Sequence, residues 1–384
     1  MDTADRRAVL LLMACILAII AVASGNLALL IWAVSFAALA GAAIAWARIA
    51  WKAVDIKATF KPPRVFSGEP VVLRVKISNR KRFPLPVVHL AVWLPAGLRA
   101  AKEFRSATIR GFQRQLYIPG RSEVVLNLPV AARRRGEFWL ERVQVTLSDP
   151  FDFTPLRRKL GPEAVLLVMP EPRFGIPMSV RRRLPFGAPA TASRMFEARE
   201  RFAGVRPYEP GDPLNRIHWK LTGHTGGLHT KLFEPTRTAD VLLALDLATG
   251  EPFWDSIYPE LAEDAIGWTT YLARQAIESG WRVGLVANTH LTRGRGPLRV
   301  PPSAAHGQEA ALFAALARMP NEATSDLAPI LREAGRGMGR NASAVVVSSR
   351  PGPWLWHEMA ALRRRGTEVV HLSPLEASLA GAGA

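Results

Sequence analysis

Residues 201–235 bring together side chains that could do acid–base chemistry. Glu209, Asp212 and His218 lie close to one another in this stretch, and Glu200 directly precedes it. A hydrolase or transferase would need such groups to converge in one pocket as acid and base. The sequence shows that they are near one another only along the chain. An enzyme that uses these carboxylates is therefore the alternative hypothesis, because no catalytic signature accompanies them.

The same stretch contains a clear turn signal. Pro210 presets the backbone angle for the second position of a type II turn, and Gly211 supplies the positive φ of the third position. Asp212 is then placed to accept hydrogen bonds from the first free amides of a short helix. Pro213 would be the first residue of that helix, where its missing N–H costs nothing.

Two local structures fit the residues after the turn. In a helix, apolar residues recur at the right spacing, namely at Leu214, Ile217 and Leu221. Arg216 and Lys220 would then lie one turn apart on the outer face, with Trp219 toward its edge. In a strand, Ile217 and Trp219 would point inward, and this alternative stays open.

Aromatic and cationic side chains make this stretch a candidate protein-interaction site. Tyrosine, tryptophan and arginine are enriched at interface hot spots. Arg206 can instead form an internal ion pair with Glu209 or Asp212. The predicted interaction motif comprises Arg206, Tyr208, Pro210, Gly211, Asp212, Arg216, Ile217, Trp219 and Lys220. We interpret it as a rigid recognition element.

The N-terminal region is predicted to enter a membrane. No charged residue occurs between Arg7 and Arg48. As one helix this run would be about 60 Å long, roughly twice the thickness of the hydrocarbon layer. The Gly25-Asn26 pair is therefore predicted to form the turn of a helical membrane hairpin between spans 8–24 and 27–47. Basic residues flank both outer ends, which predicts a multi-pass protein of the plasma (inner) membrane with both ends cytoplasmic.

A cleaved signal peptide is the alternative for the first apolar run. Arg6-Arg7, the apolar stretch and the small residues at 21–23 satisfy its pattern. The second run would still stop transfer, so the rest of the chain is expected on the cytoplasmic side in either case. The one cysteine, Cys15, lies in the first run, which excludes disulfides and thiolate zinc sites.

The chain outside the membrane is predicted to form two domains of different class. After a membrane hairpin at 1–52, short alternating runs at 53–168 predict an antiparallel β-sandwich. Residues 169–200 form a connector. In residues 201–376, strands alternate with helices, which predicts an α/β domain whose parallel sheet carries helices on both faces. A hairpin with an antiparallel edge strand is expected near 293–301, and residues 377–384 form a disordered tail.

The motif carries a family resemblance. RPYEPGDPLNRIHWK, followed by a strand that ends in Asp246, resembles the domain of unknown function fifty-eight family, whose members are similar to von Willebrand factor A domains. The sequences RVFSGEPVVLRVKISN and RGEFWLERVQVTLSDPF extend the resemblance to the β-sandwich. The resemblance implies a Rossmann-type sheet and a MoxR-type AAA+ ATPase as partner. Family members commonly have Ala-Arg-Thr where this chain has Gly223-His224-Thr225, so no role for an arginine is carried over.

The von Willebrand resemblance also raises the question of a metal. The adhesion site of those domains holds Mg²⁺ with an Asp-x-Ser-x-Ser motif after the first strand. Here the corresponding residues are Asp246, Ala248 and Gly250, so both hydroxyl positions lack a side-chain oxygen. Because Mg²⁺ prefers octahedral oxygen coordination, we expect no metal site, and the sequence indicates no cofactor.

Charge favours a membrane surface over nucleic acid. The chain has 50 basic and 32 acidic residues, a net charge of +18. The basic runs at 133–135, 181–183 and 363–365 are scattered and lack interleaved aromatics, so we expect no specific nucleic-acid binding. The working hypothesis is a membrane-anchored cytoplasmic protein-interaction module, an adaptor or scaffold that works with the ATPase on client proteins. The sequence does not define its oligomeric state.

Overall fold

The computed structural model describes most of the chain. The described residues are 3–101, 109–149, 155–160, 164–173, 184–186, 197–210, 212, 214, 217–235, 240–250, 258–291, 296–339 and 342–375, and within them the side chains of 3–11, 160, 197–203 and 232–235 are left out. The chain divides into two compact units, Met1–Met169 and Pro170–Ala384. Most of the predicted connector and all of the predicted tail lie outside the described residues.

Unit 1 begins with two helices, α1 (Thr3–Ala23) and α2 (Leu27–Ile49). Gly25 has a φ of 62°, and the side chain of Asn26 accepts hydrogen bonds from the amides of Ala28 and Leu29 at the start of α2. The predicted reversal at this pair is confirmed. Among the described residues, α2 alone is long and apolar enough to cross a membrane, and α1 contains a shorter apolar stretch, Leu12–Ala23.

The two helices bury small side chains and expose large ones. The buried positions are alanines, at Ala14 and Ala21 of α1 and at Ala33, Ala40, Ala43 and Ala47 of α2. Ile19, Val22 and Trp32 are 67%, 72% and 71% exposed. A helix pair in water would show the opposite pattern, whereas small residues between helices and large apolar residues outside are typical of a lipid environment.

The rest of unit 1, hereafter the β region, consists of eleven described strands. They are β1 (Val54–Lys61), β2 (Arg64–Phe66), β3 (Pro70–Asn79), β4 (Leu85–Trp93), β5 (Leu98–Ala100), β6 (Gly111–Ile118), β7 (Ser122–Ala132), β8 (Gly136–Trp139), β9 (Arg142–Ser148), β10 (Leu156–Leu160) and β11 (Val165–Met169). Two antiparallel sheets have the orders β1-β3-β7-β5 and β10-β9-β4-β6, and β2-β11-β8 form a third.

Alternation along the strands explains how the β region is held together. In β3, Val71, Leu73, Val75 and Ile77 are buried while their neighbours are more exposed, as expected for a strand with one face toward a core. These side chains belong to the same apolar cluster as Val88 and Leu90 of β4. The two four-stranded sheets therefore share one core, and the antiparallel pairing predicted from the sequence is confirmed.

Unit 2 opens with a two-stranded hairpin that precedes a larger sheet. The hairpin consists of β12 (Glu197–Pro207), α3 (Trp219–Thr225) and β13 (His229–Pro235). The larger part contains β14 (Asp240–Leu245), α4 (Pro259–Glu278), β15 (Arg282–His290), β16 (Pro297–Ser303), α5 (Gln308–Arg318), α6 (Leu327–Arg336), β17 (Ser343–Val347), α7 (Pro353–Arg364) and β18 (Glu368–Leu372). Its strand order is β16-β15-β14-β17-β18.

The larger sheet is mixed. β14, β15, β17 and β18 pair in parallel, and β16 pairs antiparallel with β15 at the edge, as the sequence predicts. Five successive residues of β14, from Val241 to Leu245, are buried, which requires cover on both faces because side chains alternate. On one face, Leu242 and Ala244 pack with residues of α6 and α7. α4 contacts β14, β15 and β17.

One helix of unit 2 was not predicted. This helix is α6, and Gly335 lies inside it. A Cβ at this position would approach Leu362 Cδ2 of α7 to 2.5 Å. Gly335 thus allows close packing of α6 on α7.

Candidate functional site

The interaction motif lies on the hairpin of unit 2. β12 and β13 pair antiparallel, with Arg206 opposite Thr230. Beyond the strand end, the Tyr208 amide donates to the carbonyl of Leu228 at 2.9 Å, and the His218 amide donates to the carbonyl of His229 at 2.7 Å. Ile217 forms an isolated bridge with Thr230 and is 3% exposed. Both arms of the motif are therefore tied to the start of β13.

Asp212 is the centre of this arrangement. Its carboxylate accepts hydrogen bonds from Arg206 Nη2 at 2.7 Å, from the Glu209 amide at 3.1 Å and from Thr230 Oγ1 at 3.0 Å. Its own amide donates to the Glu209 carbonyl at 3.0 Å. That bond closes the reversal predicted around Pro210. One carboxylate thus joins the turn, the end of β12 and the start of β13.

These contacts set the protonation state of Asp212. The amide of Glu209 lowers its pKa most, the Thr230 hydroxyl and the positive charge of Arg206 lower it further, and partial burial opposes them. A carboxylate that accepts such bonds is stabilised in its ionised form. Asp212 therefore stays negative at neutral pH, which suits an anchoring role and not that of a general acid.

The helix after the turn differs from the prediction. It begins at Trp219, and its N-cap is His218, whose Nδ1 accepts the Leu221 amide at 3.0 Å. Asp212 does not cap it, because its Oδ1 accepts from Arg206 of β12 and its Oδ2 accepts from the Glu209 amide and from Thr230 of β13. Leu214 is 68% exposed, so the predicted apolar face at Leu214, Ile217 and Leu221 is wrong.

The strand alternative is correct for one residue only. Ile217 is buried in the bridge to β13, whereas Trp219 is 66% exposed. Lys220 is exposed and Tyr208 is half-buried. Gly211 and Arg216, both predicted members of the motif, lie outside the described residues. Among the described residues of the segment that carries the motif, three large apolar side chains are exposed, Leu214, Trp219 and Leu228 at 45%; they are hereafter called the apolar motif residues.

The described side chains that the acid–base alternative would use already have hydrogen-bond or ion-pair partners. The Glu209 side chain is 76% exposed and forms an ion pair with Arg206 Nη1 at 3.2 Å. His218 uses Nδ1 as a helix cap, and both Asp212 oxygens accept hydrogen bonds. The side chain of Glu200 is outside the described set. In the described part of the hairpin, these contacts stabilise the fold.

A second polar cluster lies at the carboxyl edge of the parallel sheet. Asp246 follows β14 and is 5% exposed. Its Oδ1 accepts from Asn288 Nδ2 at 2.7 Å and from the Ala248 amide at 2.9 Å, and its Oδ2 accepts from Ser348 Oγ at 2.8 Å. Asn288 also accepts the Leu247 amide at 2.9 Å. The cluster ties the ends of β14 and β17 to β15.

Asn288 and Ser348 were missed at the sequence level. Each lies at or near the carboxyl end of a parallel strand, which is the edge where open α/β sheets bind ligands. This position in the strand could have identified both residues from the sequence. Two further hydroxyls of this edge, Thr289 Oγ1 and Ser349 Oγ, are buried without a hydrogen-bond partner.

The residues at Asp246 do not fit the magnesium site of von Willebrand domains. Ala248 and Gly250 offer no side-chain oxygen, and Ala248 uses its amide to donate to Asp246. Burial is the largest influence on Asp246 and raises its pKa to about 6, against the hydrogen bonds from Ala248, Ser348 and Asn288. A carboxylate arranged for three donors is built to accept protein hydrogen bonds, so we derive no metal chemistry from it.

A cavity of about 230 Å³ lies at the other edge of the sheet, between β16 and α6. Its polar residues, Asp240 and Arg299, form ion pairs with Arg282 and Glu333. Apolar side chains such as Leu242 and Met338 line the rest. Among the described residues that line the cavity, the charged side chains are thus already paired.

The motif and the sheet together fall within one known family. Residues 204–384 match the family model described as "Protein of unknown function DUF58". The chain carries a DUF58 domain. The family resemblance carried by the motif is thereby confirmed, and the DUF58 domain begins inside β12.

One curated relative and two solved structures illustrate the similarity. The uncharacterized protein YeaD of Bacillus subtilis is 23% identical over 219 residues, which is 56% of this chain and about half, 51%, of YeaD. The CARDB domain of a Pyrococcus furiosus protein is 14% identical at a TM-score of 0.20, covering 31% of this chain and 94% of that one. Proximal thread matrix protein 1 of the mussel byssus is 15% identical at a TM-score of 0.27, covering 35% of this chain and 38% of that one.

The pKa of Asp246 leads to a prediction about stability. Because its folded pKa of about 6 lies above the unfolded value of about 4, its stabilising contribution is complete below pH ~4 and is lost as the pH rises through ~6. The loss is roughly 3 kcal/mol, at 1.36 kcal/mol per pKa unit. Asn at this position can keep the same partners without titrating.

The measurement compares urea unfolding of the wild type and Asp246→Asn between pH 4 and pH 7. Relative to the variant, the wild type should lose stability as the pH rises across this window. Titrations common to both proteins cancel in the difference. Parallel stability profiles for the two proteins would show that Asp246 titrates normally.

Proposed function

We propose that this protein is a membrane-anchored interaction module, with the helices at its N-terminus as the anchor and the DUF58 domain as the docking part. The observation that carries the proposal is the contrast within the motif. Asp212 fixes the backbone with three hydrogen bonds, while Trp219 and Leu214 remain about two-thirds exposed. Large apolar side chains held rigidly in water are typical of protein-binding sites.

The chemistry of the motif supports docking over catalysis. Tryptophan is the residue type most enriched at interface hot spots, and here it stands at the first position of α3 beside the exposed Lys220. Its neighbours Asp212 and His218 are engaged in holding the backbone. The proposal therefore assigns recognition to the apolar motif residues and structure to the polar ones, with no bond-breaking step.

The proposed fold of the docking part is a von Willebrand A-like domain. A mixed sheet of four parallel strands and one antiparallel edge strand supports this, as does an aspartate at the carboxyl end of β14. The proposed partner, a MoxR-type AAA+ ATPase, comes from the family resemblance. An adaptor or scaffold role in assembly or maturation of client proteins follows from such a partner.

The partner proposal is tested by direct binding to purified MoxR-type AAA+ ATPase from the same organism, with ATP and with ADP. Trp219→Ala should weaken binding by about 2 kcal/mol, roughly thirtyfold in Kd, because it removes an exposed anchor. Trp354→Ala is the matched control, since Trp354 is 69% exposed in the same unit but lies on α7. Equal affinities for the wild type and both variants would refute docking through the motif.

The proposed location is the plasma (inner) membrane, with both helices crossing it and the β region and unit 2 in the cytoplasm. α2 has the length and composition for a span. Arg48 lies in its last turn and Lys52 follows it, whereas Gly25 and Asn26, at the turn between the two helices, are uncharged. Cytoplasmic loops are enriched in such basic residues.

Reporter fusions at the C-terminus check this orientation. A fused green fluorescent protein should fluoresce and a fused alkaline phosphatase should be inactive, because both are predicted to stay inside the cell. Active phosphatase at this end would place the DUF58 domain outside and contradict the proposal.

A further inference from the structure

The end of α2 is built into the β region. Ala50, directly after the helix, is fully buried in the core of the β region, and Trp46 and Trp51 pack against that core. The guanidinium of Arg158 lies 5.5 Å from the ring centre of Trp51. No flexible linker separates the apolar helix from the strands, so the parts of the β region that touch this end have a fixed place relative to α2.

One loop of the β region contacts the end of α2 directly. Residues 80–84 connect β3 to β4, and Lys81 Nζ donates to the carbonyl of Ile49 at 3.2 Å and to that of Ala50. The Arg80 amide donates to the Ala53 carbonyl at 3.0 Å. The last carbonyls of a helix lack partners within the helix and carry its negative end. Lys81, whose pKa is lowered by burial, binds them.

A second loop locks the first in place. Asn79 is 1% exposed, and its amide donates to the carbonyls of Phe83 and Pro119, each at 2.9 Å. The Arg121 amide donates to the Lys81 carbonyl at 2.6 Å. At Gly120 a Cβ would lie 2.0 Å from the Arg82 carbonyl oxygen, so only glycine permits this approach. Loops 80–84 and 119–121 form one rigid structure, hereafter the tip.

The tip exposes one aromatic side chain among cations. Phe83 is 64% exposed, and the side chains of Arg80, Arg82 and Arg121, which belong to the same two loops, are exposed as well. Tyr117, at 60% exposure, lies just before the second loop. The tip thus combines an apolar ring in contact with water, which is unfavourable, and three positive charges. It suits the boundary between phospholipid headgroups and acyl chains, where rings enter the apolar side and cations bind phosphate.

We propose that the tip is an interfacial binding site for anionic phospholipid. Phe83 enters the headgroup boundary, and Arg80, Arg82 and Arg121 bind the phosphate groups of the bilayer that α2 crosses. The inference rests on the membrane placement in the proposed function and not on the ATPase partner. Lipid binding would give the β region a fixed orientation at the membrane surface, because Lys81 holds the tip to the end of α2 and lipid holds it to the bilayer.

The geometry also identifies a basic run that should not bind lipid in this way. β3 and β7 pair along their length, with Asn79 opposite Ser122 near the tip and Pro70 opposite Ala131 at the far end. These two ends are about 30 Å apart at 3.3 Å per residue, several times the Debye length of about 8 Å in physiological salt. Arg133 and Arg134 follow the far end and are exposed, which makes them a matched control.

The test uses the full chain in a Cys15→Ser background, which removes the one cysteine. Each protein then receives one new cysteine, by Phe83→Cys, Arg134→Cys or Ile31→Cys. A polarity-sensitive fluorophore is attached to that cysteine. Each protein is reconstituted into phosphatidylcholine vesicles with and without phosphatidylglycerol, and fluorescence quenching by aqueous iodide is measured. The label at 31 reports insertion of α2, and the label at 134 reports the far end of the β region.

We expect the label at 83 to show roughly half the quenching constant of the label at 134 in vesicles with phosphatidylglycerol. Arg80→Gln with Arg82→Gln should abolish this protection, and Arg133→Gln with Arg134→Gln should leave it unchanged. Added salt should raise quenching at 83, because screening weakens the phosphate contacts.

The outcomes separate the two proposals. A protected label at 31 with equal quenching at 83 and 134 would overturn the lipid site alone and leave the anchor intact. Protection at 83 that does not depend on phosphatidylglycerol would overturn the role of the arginines. An exposed label at 31 would overturn the anchor itself, and the lipid site with it.

Discussion

The carboxylate of Asp212 is the constraint on which the recognition motif depends. It is bound at once to a side chain of β12, to a backbone amide of the turn and to a hydroxyl of β13. Without it, the Thr230 hydroxyl, on a residue that is 3% exposed, would be buried without a partner, which typically costs about 1–3 kcal/mol. The rigid presentation of Trp219 therefore follows from a polar interaction and not from an apolar core.

The tip and the recognition motif are held in place in the same way. At the tip, Asn79 is buried and holds a loop so that Phe83 faces outward. At the motif, Asp212 fixes the backbone beside the exposed Trp219. In each case a hydrogen-bonded polar side chain fixes a short segment, and an aromatic side chain remains exposed. A disordered segment would lose conformational entropy on binding, whereas these segments are already ordered.

The sequence predicted those features that depend on periodicity. Alternation in β3 and the apolar run of β14 indicated the correct strands, and Gly25 with Asn26 indicated the reversal between α1 and α2. Prediction failed where a long-range contact decided the local structure. The bridge to Thr230 determines the position of Ile217, and the helical spacing of apolar residues does not. In α6, Gly335 is accommodated because Leu362 packs closely against it. The contacts of Lys81 and Asn288 likewise join residues distant in sequence, which a single sequence cannot indicate.

Hydrogen exchange of the hairpin measures the role of Asp212 most directly. In the reconstituted full chain, Asp212→Ala should speed exchange at the amides of Tyr208 and His218 by at least about tenfold, a change of ~1.4 kcal/mol in opening free energy. Neither amide bonds to Asp212 itself, so faster exchange would report loosening of the whole motif. Glu209→Gln, at an exposed ion pair, should have little effect. Unchanged exchange at both amides in Asp212→Ala would contradict the account, because the motif would then be rigid without its carboxylate.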